Sequence, residues 1–419
     1  ITSIHGSGVT DQGRANVINN LREEYLIENI LNYKGELSGN HRFDATLVQS
    51  VNQRNTPRTE SEGTGFGNDI LRYDGITNAL FFKTNRIEEQ YRLASFLGRV
   101  RYTLMDKYLF TFTSRYDGAS VFAENNKWGF FPAAAVAWQM HKENFLSNIK
   151  AISSMKLRLS YGAVGNQSLD PYTTLGVVGN YPYIFNGVLF SGYRPGTQLN
   201  NLNLSWETST TLNAGLDFGL FSNRLTGSID YFDTRTTDLL TDISLSGIGG
   251  YTNTITNGGE TRNHGIEILL SGNIIRNKNF NWNVTTAFTS YRNEIVKTGV
   301  TGVAGEQKND IGRGRYVGTP INNIRTYVFD GIFQTDADAI NSAQGSLGGT
   351  ITPFQNVATL LAGAIRLKDV NGDGRINDDD QVIFATDPKW FSSISTTVSY
   401  KSFDLLADLY FVEGTMKIN

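Results

Sequence analysis

The sequence predicts an all-β fold, a transmembrane antiparallel β-barrel, from three observations. The 419 residues include 43 Gly, 25 Phe and 19 Tyr but only 8 Pro, and 18% are charged, a composition typical of many strands joined by polar turns. Runs of about ten residues alternate apolar and polar side chains. Short turns alternate with long Gly/Asn/Asp-rich loops between these runs, as in outer-membrane barrels.

The first clear hairpin joins the runs SFLGRVRYTL and KYLFTFTSRYDG through a short turn at 105–107, a length typical of hairpins. Because successive side chains of a strand point to opposite faces, Tyr108, Phe110 and Phe112 share one face of the second run. Polar residues such as Arg115 lie on the other face. The pattern indicates one face in contact with an apolar phase and one in contact with water.

Three further pairs of runs repeat this pattern, and together they predict about a dozen strands. They are TTLNAGLDFGLF with RLTGSIDYFD, GIEILLSGNII with FNWNVTTAFTSY, and SISTTVSY with FDLLADLYF. Charged side chains inside the runs lie opposite the apolar ones, as expected for strands that line a wide lumen. They are Arg99, Arg101, Arg115, Arg158, Asp217, Asp230, Glu267, Asp404 and Asp408. Aromatic residues near the run ends suit the interfacial girdles of a membrane barrel.

Five segments are predicted as long loops: 53–90, 164–205, 235–263, 291–320 and 334–390. The alternation alone also fits the interior of a soluble barrel or a propeller. A propeller is disfavoured because no repeat of roughly 40 to 50 residues is present.

Charge and composition exclude several classes of function. A formal net charge of -3 and the lack of a Lys/Arg-rich run argue against nucleic acid as a partner. Without Cys there is no disulfide, thiolate nucleophile or Cys-ligated metal. The four histidines are scattered without metal-ligand spacing, and no phosphate-binding glycine loop is present. The sequence therefore predicts no enzyme activity and no redox or organic cofactor.

Several motifs follow one another in a fixed order: GR-x-x-Y, DKY, R-x-DG-x-S-x-F and WG-x-FP, then YGAVGNQ, WETSTTLNAGLD, G-E-x-x-N-x-G-x-E, FDGIFQT and DVNGDGRINDDD. This series resembles the SusC/RagA group of TonB-dependent outer-membrane transporters. The resemblance extends over residues 91–411 and is weak over 1–90. Ala119 and Ala133 depart from it, since the group usually carries Ser there.

The resemblance implies a plugged barrel of about 22 strands in the bacterial outer membrane, the size class of outer-membrane transporters. Residues 91–419 are then barrel strands with long extracellular loops, and 1–90 are barrel strands and a loop. The plug domain is expected to lie outside this chain, which we interpret as an interior fragment. The implied function is import of oligosaccharides or peptides. The implied partners are a SusD-like surface lipoprotein, TonB acting through a missing N-terminal region, a glycan or peptide substrate, and outer-membrane lipid.

Two alternatives stay open at this stage. One is a barrel that no longer transports and serves as a scaffold subunit of a larger outer-membrane assembly. The other is a secreted β-rich adhesin or lectin, which would be soluble without detergent.

Three tyrosines in the predicted loop 164–205 are candidate substrate-binding residues: Tyr181, Tyr183 and Tyr193. Aromatic side chains on outer loops suit stacking on a sugar or peptide. The alternative is that each only packs within its loop.

The stretch DVNGDGRINDDD, residues 369–380, has the spacing of a twelve-residue calcium loop. Gly374 takes the position of the sharp turn, and oxygen ligands precede and follow it. The predicted ligands are Asp369, Asn371, Asp373, Arg375 through its carbonyl, Asn377 and Asp380. Position 12 is Asp instead of Glu, and no helices are predicted beside the loop. The prediction is a structural Ca²⁺ that braces an exposed loop, and the alternative is a solvated Asx/Gly turn.

Overall fold

The structure, a computed structural model, describes residues 13–68, 70, 72–302, 306–342 and 362–416. Antiparallel strands dominate it, as the alternating pattern predicts. The strands are β1 (Arg14–Asn20), β2 (Glu23–Ser38), β3 (His41–Thr64), β4 (Phe81–Leu104), β5 (Tyr108–Ala119), β6 (Trp128–Trp138), β7 (Ile152–Asn166), β8 (Val178–Asn180), β9 (Tyr183–Phe185), β10 (Val188–Phe190), β11 (Tyr193–Pro195), β12 (Gln198–Leu199), β13 (Glu207–Leu220), β14 (Leu225–Ser244), β15 (Asn253–Arg276), β16 (Phe280–Thr298), β17 (Asn323–Tyr327), β18 (Phe329–Ile332), β19 (Ile365–Leu367), β20 (Gln381–Ala385), β21 (Trp390–Tyr400) and β22 (Phe403–Glu413).

Helices are few and short among these residues. The α-helices are α1 (Asn144–Ser147) and α2 (Asp336–Ile340), and 3₁₀ turns cover Arg72–Asn78, Glu124–Asn126, Met140–Lys142, Ile311–Arg313 and Asp378–Asp380. Within the described ranges, none of the helices has the length and apolar character needed to cross a membrane.

Fourteen strands belong to one sheet, and its order follows the chain. The order is β1-β3-β4-β5-β6-β7-β13-β14-β15-β16-β21-β22, with β2 also paired to β3 and β12 to β15. Such nearest-neighbour pairing through hairpins is the pattern that the short turns predict. The turn at 105–107 between β4 and β5 places Met105 and Asp106 at positive φ, and the Lys107 N–H donates to the Leu104 carbonyl at 3.0 Å, a backbone geometry that suits tight hairpin turns.

The chain folds as two compact units. The first comprises the described residues of Ile1–Ala137, Ser160–Thr210 and Asp238–Asn257, and the second comprises those of Trp138–Leu159, Thr211–Thr237 and Gly258–Asn419.

In the first unit, one face of β3–β5 is apolar and carries two groups of aromatic rings. The turn-side aromatic cluster consists of His41, Phe43, Tyr102 and Phe110, with ring centroids 4.7–6.1 Å apart. The loop-side aromatic cluster consists of Phe96, Tyr116 and Trp128, with centroids 4.8–6.3 Å apart. Along β4 the two clusters are separated by six residues, from Phe96 to Tyr102, or ~20 Å at ~3.3 Å per residue.

In the second unit, β15, β16, β21 and β22 show the same division into faces. The register aligns Trp282 with Val398 and Val398 with Leu405, so these three share one face. Asp404 and Asp408 lie on the opposite face of β22 from Leu405, because successive side chains of a strand alternate and both are an odd number of residues away from Leu405. The predicted alternation between an apolar and a polar face is therefore present in both units.

Two of the five predicted long loops are wrong in extent. Most of 53–90 is strand, because β3 continues to Thr64 and β4 begins at Phe81. Most of 235–263 is also strand, since β14 continues to Ser244 and β15 begins at Asn253. These extensions are mostly polar on both faces, so hydrophobic alternation stops there while the backbone pairing of β3 with β4 continues. Hydrophobicity marks only the part of a strand that contacts an apolar phase.

Candidate functional site

Three of the motifs that the sequence carries in series meet in one buried cluster of the first unit. Trp206 lies at its centre, with the ring of Phe122 at 5.3 Å and that of Phe131 edge-on at 5.4 Å. The indole N–H of Trp206 donates to the Lys127 carbonyl at 3.0 Å. The other buried members are Ala119, Val121 and Leu204. Segments from three separate motifs thus form a single core, which the sequence order alone does not show.

Glu207 connects three strands beside this cluster. Its carboxylate accepts the Asn166 side-chain amide at 2.6 Å and the Leu240 backbone N–H at 2.8 Å. Only 7% of Glu207 is exposed, so these bonds satisfy a carboxylate that water scarcely reaches. Asp238, two residues before Leu240, has a positive φ of 57°. We interpret Glu207 as a structural residue that holds this irregular backbone.

The polar face of the second unit carries an ion-pair network. The Arg158 guanidinium donates to Asp217 at 2.7 and 2.9 Å and to Asp230 at 3.1 Å. Lys156 adds a contact to Asp217 at 2.8 Å. Gly215 lies at the crossing of these side chains and leaves room for them. Three residues predicted to line the lumen are therefore confirmed on one face and in mutual contact.

A second set of ion pairs lies on the other face, midway along β14 and β15. Arg262 forms two hydrogen bonds to Asp233, at 2.6 and 3.0 Å. Glu260 contacts both Arg235 and Lys297. Asp233 follows Tyr231 on the same strand face, two residues along, so apolar residues give way to charges here. Sequence reasoning missed these pairs because Arg235, Glu260 and Arg262 fell within the predicted loop 235–263.

The three candidate tyrosines lie together on a long hairpin in the 164–205 segment. β9 pairs with β10 and β8 with β11, and the tip is Asn186-Gly187 with both residues at positive φ, as a type I′ turn requires. Tyr181 donates its backbone N–H to the Gly192 carbonyl at 2.6 Å, which joins the two short ladders. The sequence signal for this hairpin is the Asn-Gly pair within IFNGVLF.

The hairpin exposes several aromatic side chains. The Arg194 guanidinium lies 4.2 Å above the ring of Tyr181, within range for a cation–π contact. The ring of Tyr183 stacks on Phe190 at 5.8 Å. Tyr193 is 71% exposed. Rings held on a paired hairpin can stack on a planar or ring-shaped ligand. Sequence reasoning missed Arg194 and Phe190, because neither belongs to a motif.

The calcium-type loop is held by its own hydrogen bonds. The two carboxylate oxygens of Asp369 accept the backbone N–H groups of Gly372 at 2.7 Å and Gly374 at 2.8 Å. Both glycines have positive φ. The carboxylate of Asp380, with no exposed surface, accepts N–H groups from Val370 at 2.9 Å and Asn377 at 2.8 Å.

The remaining predicted ligands also bond within the loop. Asn371 accepts the Asp373 N–H at 2.9 Å, and Asp373 accepts the Arg375 N–H at 2.8 Å. Asn377 accepts the Asp379 N–H at 2.7 Å and caps the 3₁₀ turn Asp378–Asp380. Among the described residues no three His, Asp or Glu side chains converge as a metal-binding group. The hydrogen bonds therefore account for the shape of the loop without an ion.

The loop contacts the antiparallel pair of strands β17 and β20. The Tyr327 hydroxyl donates to Asp378 at 3.4 Å, and Arg325 donates to the Asp378 carbonyl. Burial raises the pKa of Tyr327 above its ordinary value, so this hydroxyl stays protonated and remains a donor.

Comparison with known proteins covers nearly the whole chain. A family model described as "TonB dependent receptor-like, beta-barrel" matches residues 3–411. TonB-dependent receptor P26 of Formosa agariphila is 31% identical over 400 residues, covering 93% of this chain and 38% of the relative. TonB-dependent receptor SusC of Bacteroides thetaiotaomicron is 40% identical over 211 residues, covering 49% of this chain and 21% of SusC. This chain thus spans about two fifths of the length of P26.

Solved structures show the same fold. The RagAB peptide transporter matches with a TM-score of 0.74 at 21% identity, covering 96% of this chain and 42% of that one. The family model describes this fold as a β-barrel, the kind that the alternation, turns and motifs predict, and the family is one of receptors and not of enzymes. The chain therefore belongs to the TonB-dependent receptor β-barrel family, in its SusC/RagA-like group, and is a protein of the bacterial outer membrane.

Proposed function

We propose that the protein is the barrel subunit of an importer that carries oligosaccharides or peptides across the outer membrane. The observation that carries the proposal is the exposed aromatic hairpin, in which Arg194 covers Tyr181 and Tyr183 stacks on Phe190. Its position in a long loop suits capture of a ligand outside the bilayer. A cation beside flat rings suits a peptide with an acidic group or a charged sugar.

The proposal includes two protein partners. A SusD-like surface lipoprotein would cover the loop side, and the likeness of this chain to SusC and RagAB supports this partner. TonB would supply energy through the part of the relatives' length that this chain does not span. Because RagAB is a peptide transporter, the likeness to it favours peptides as the substrate class.

Uptake by cells tests the proposal directly. We would express the full-length protein with its lipoprotein partner and measure uptake of fluorescent peptide and oligosaccharide mixtures. Each stacking contact contributes ~0.5–1.5 kcal/mol. Tyr181→Ala combined with Tyr183→Ala should therefore weaken uptake at low substrate concentration by roughly tenfold. Tyr400→Ala, on β21 at the turn side, is the matched control and should leave uptake unchanged.

The scaffold hypothesis predicts a different result. If the wild-type protein reaches the outer membrane but carries neither substrate class, and deletion of its gene disrupts a surface assembly, the import proposal is wrong.

We propose separately that the 369–380 loop binds a structural Ca²⁺. The twelve-residue spacing and the glycines at positive φ support it. Binding would require oxygens that already accept backbone N–H groups to accept an ion as well. Limited proteolysis with and without a chelator tests this: Ca²⁺ should slow cleavage within 362–390 in the wild type but not in Asp373→Ala. Equal cleavage rates of the wild type with and without Ca²⁺ would show that the loop is a hydrogen-bonded turn that binds no Ca²⁺.

A further inference from the structure

The apolar face of β2–β5 has a hollow of about 770 Å³ beside the loop-side aromatic cluster. Two adjacent rows of paired residues line it. The loop-side row is Asn29, Gln49, Phe96 and Tyr116, and the row next to it is Leu31, Leu47, Gly98 and Ser114. All eight are on the face that carries both aromatic clusters, and residues of this face account for most of the lining.

Gly98 forms the floor of the hollow. A Cβ added there would have only ordinary van der Waals neighbours, Leu47 Cδ2 at 3.6 Å and Ser114 Oγ at 3.8 Å. The rings of Phe96 and Tyr116 rise at one end. The hollow is therefore a depression in the sheet surface that results from a missing side chain.

Polar groups occupy one end of this mostly apolar depression. The Asn29 amide donates to Gln49 Oε1 at 2.7 Å. The Gln49 oxygen is used as an acceptor, so its amide nitrogen is the part of the side chain that can donate to a ligand. This pair lies in the row of Phe96 and Tyr116, and aromatic rings of membrane barrels mark the boundary between hydrocarbon and water. The amides therefore lie at the depth of lipid headgroup linkages, and Gly98 lies one row deeper.

We infer that this hollow is a specific site for one membrane lipid. An acyl chain occupies the depression over Gly98, and the ester or amide linkage of the lipid accepts a hydrogen bond from Gln49. The site is continuous with the face that contacts the bilayer. An amide N–H at the edge of the hydrocarbon is costly without an acceptor, and a lipid linkage provides that acceptor for Gln49 where a plain acyl chain does not.

Native mass spectrometry of the full-length protein tests the site. The protein is stripped of lipid in detergent and incubated with a dioleoyl phosphatidylethanolamine, as the ester-linked lipid and as its ether-linked analogue. The wild type should retain one ester-linked lipid per chain at a collisional activation energy that removes all other bound lipids. Gly98→Leu fills the depression and should lower retention roughly tenfold, or ~1.4 kcal/mol. Gly272→Leu is the matched control, because an added Cβ there also meets only ordinary contacts outside the hollow.

A second variant isolates the hydrogen bond. Gln49→Leu should remove the preference for the ester-linked over the ether-linked lipid. This variant tests the lipid site even if Gly98→Leu fails to assemble. Equal retention in the wild type, Gly98→Leu and Gly272→Leu would overturn the site. The site would also be overturned if the wild type showed no preference for the ester-linked lipid. It would likewise be overturned if Gly98→Leu abolished binding of a second protein chain and left lipid binding unchanged.

Discussion

At the scale of single residues, the contact between Gly118 and Trp128 explains why position 118 is a glycine. Gly118 lies on the apolar face of β5, and the indole ring of Trp128 covers it. A Cβ added at Gly118 would lie 2.7 Å from that ring, closer than van der Waals contact allows. The glycine of the motif R-x-DG-x-S-x-F is thus explained by the aromatic residue of the next motif along the chain.

Gly118→Ala should therefore lower stability by ~1–3 kcal/mol, because Trp128 must leave its stack on Tyr116. The measurement is the temperature at which the folded band is lost in heat-modifiability gels. Gly98→Ala is the control, since its new Cβ meets only ordinary contacts, and it should shift that temperature little. Equal shifts in both variants would refute the steric explanation.

Glu207→Ala should also destabilise the protein, by ~1–3 kcal/mol, because it leaves the partly buried N–H of Leu240 without its acceptor. Urea unfolding followed by tryptophan fluorescence measures the change in the free energy of unfolding. Glu207→Gln keeps one carbonyl acceptor and should cost clearly less. If the two variants lose equal stability, the hydrogen bond to Leu240 is not the cause.

At the scale of elements, the two faces of each strand have different solvents. On β13, Leu212, Leu216 and Phe218 share the apolar face, and Asp217 joins the Arg158 network on the other. A charged side chain destabilises the protein on a surface that contacts lipid and has little effect on stability on a surface that contacts water.

Leu216→Arg should cost ~2–4 kcal/mol if this position lies near the bilayer midplane. Asn213→Arg places the same side chain on the polar face of the same strand and is the matched control. Both variants would be assembled into lipid vesicles and compared for the fraction that folds. Equal assembly of the two variants would contradict the assignment of the faces.

The difference between lipid and water as surroundings also explains why some strands are longer than the sequence predicts. β14 continues from Tyr231 through Asp233 and Arg235, with charges on the face that is apolar before them. Ion pairs from β14 to β15, and from β15 to Lys297 of β16, stabilise this part of the sheet where no lipid requires apolar side chains. A search for alternating hydrophobicity stops at Tyr231, and for this reason the sequence predicts a loop at 235–263 that is too long.

At the scale of the whole molecule, the strands β1, β2 and β22 lie at edges of the large sheet among the described residues. β1 and β2 each pair with β3, and β22 pairs with β21. All eleven residues of β22 are exposed, among them Leu405, Leu406 and Leu409. Apolar edges of this kind promote strand pairing between molecules.

Expressed as these 419 residues in detergent, the protein should therefore form dimers or larger aggregates. Size-exclusion chromatography with light scattering gives the mass. Leu406→Lys with Leu409→Lys should reduce association, because edge lysines oppose pairing between strands. A monodisperse species with the mass of one chain would contradict this prediction.

The sequence by itself determined the class of fold, the assignment of residues to the two strand faces, and the family. These follow from local features: side chains alternate along any extended strand, and turn residues and motifs are contiguous. Only the tertiary structure decided that Trp206, Phe131 and Phe122 share one core, that Glu207 holds Leu240, and that Gly98 leaves a hollow beside Asn29 and Gln49. Contacts between residues far apart in the chain depend on the register of several strand pairs in succession, and a one-residue slip in any pair would move the side chains of that strand to the other face.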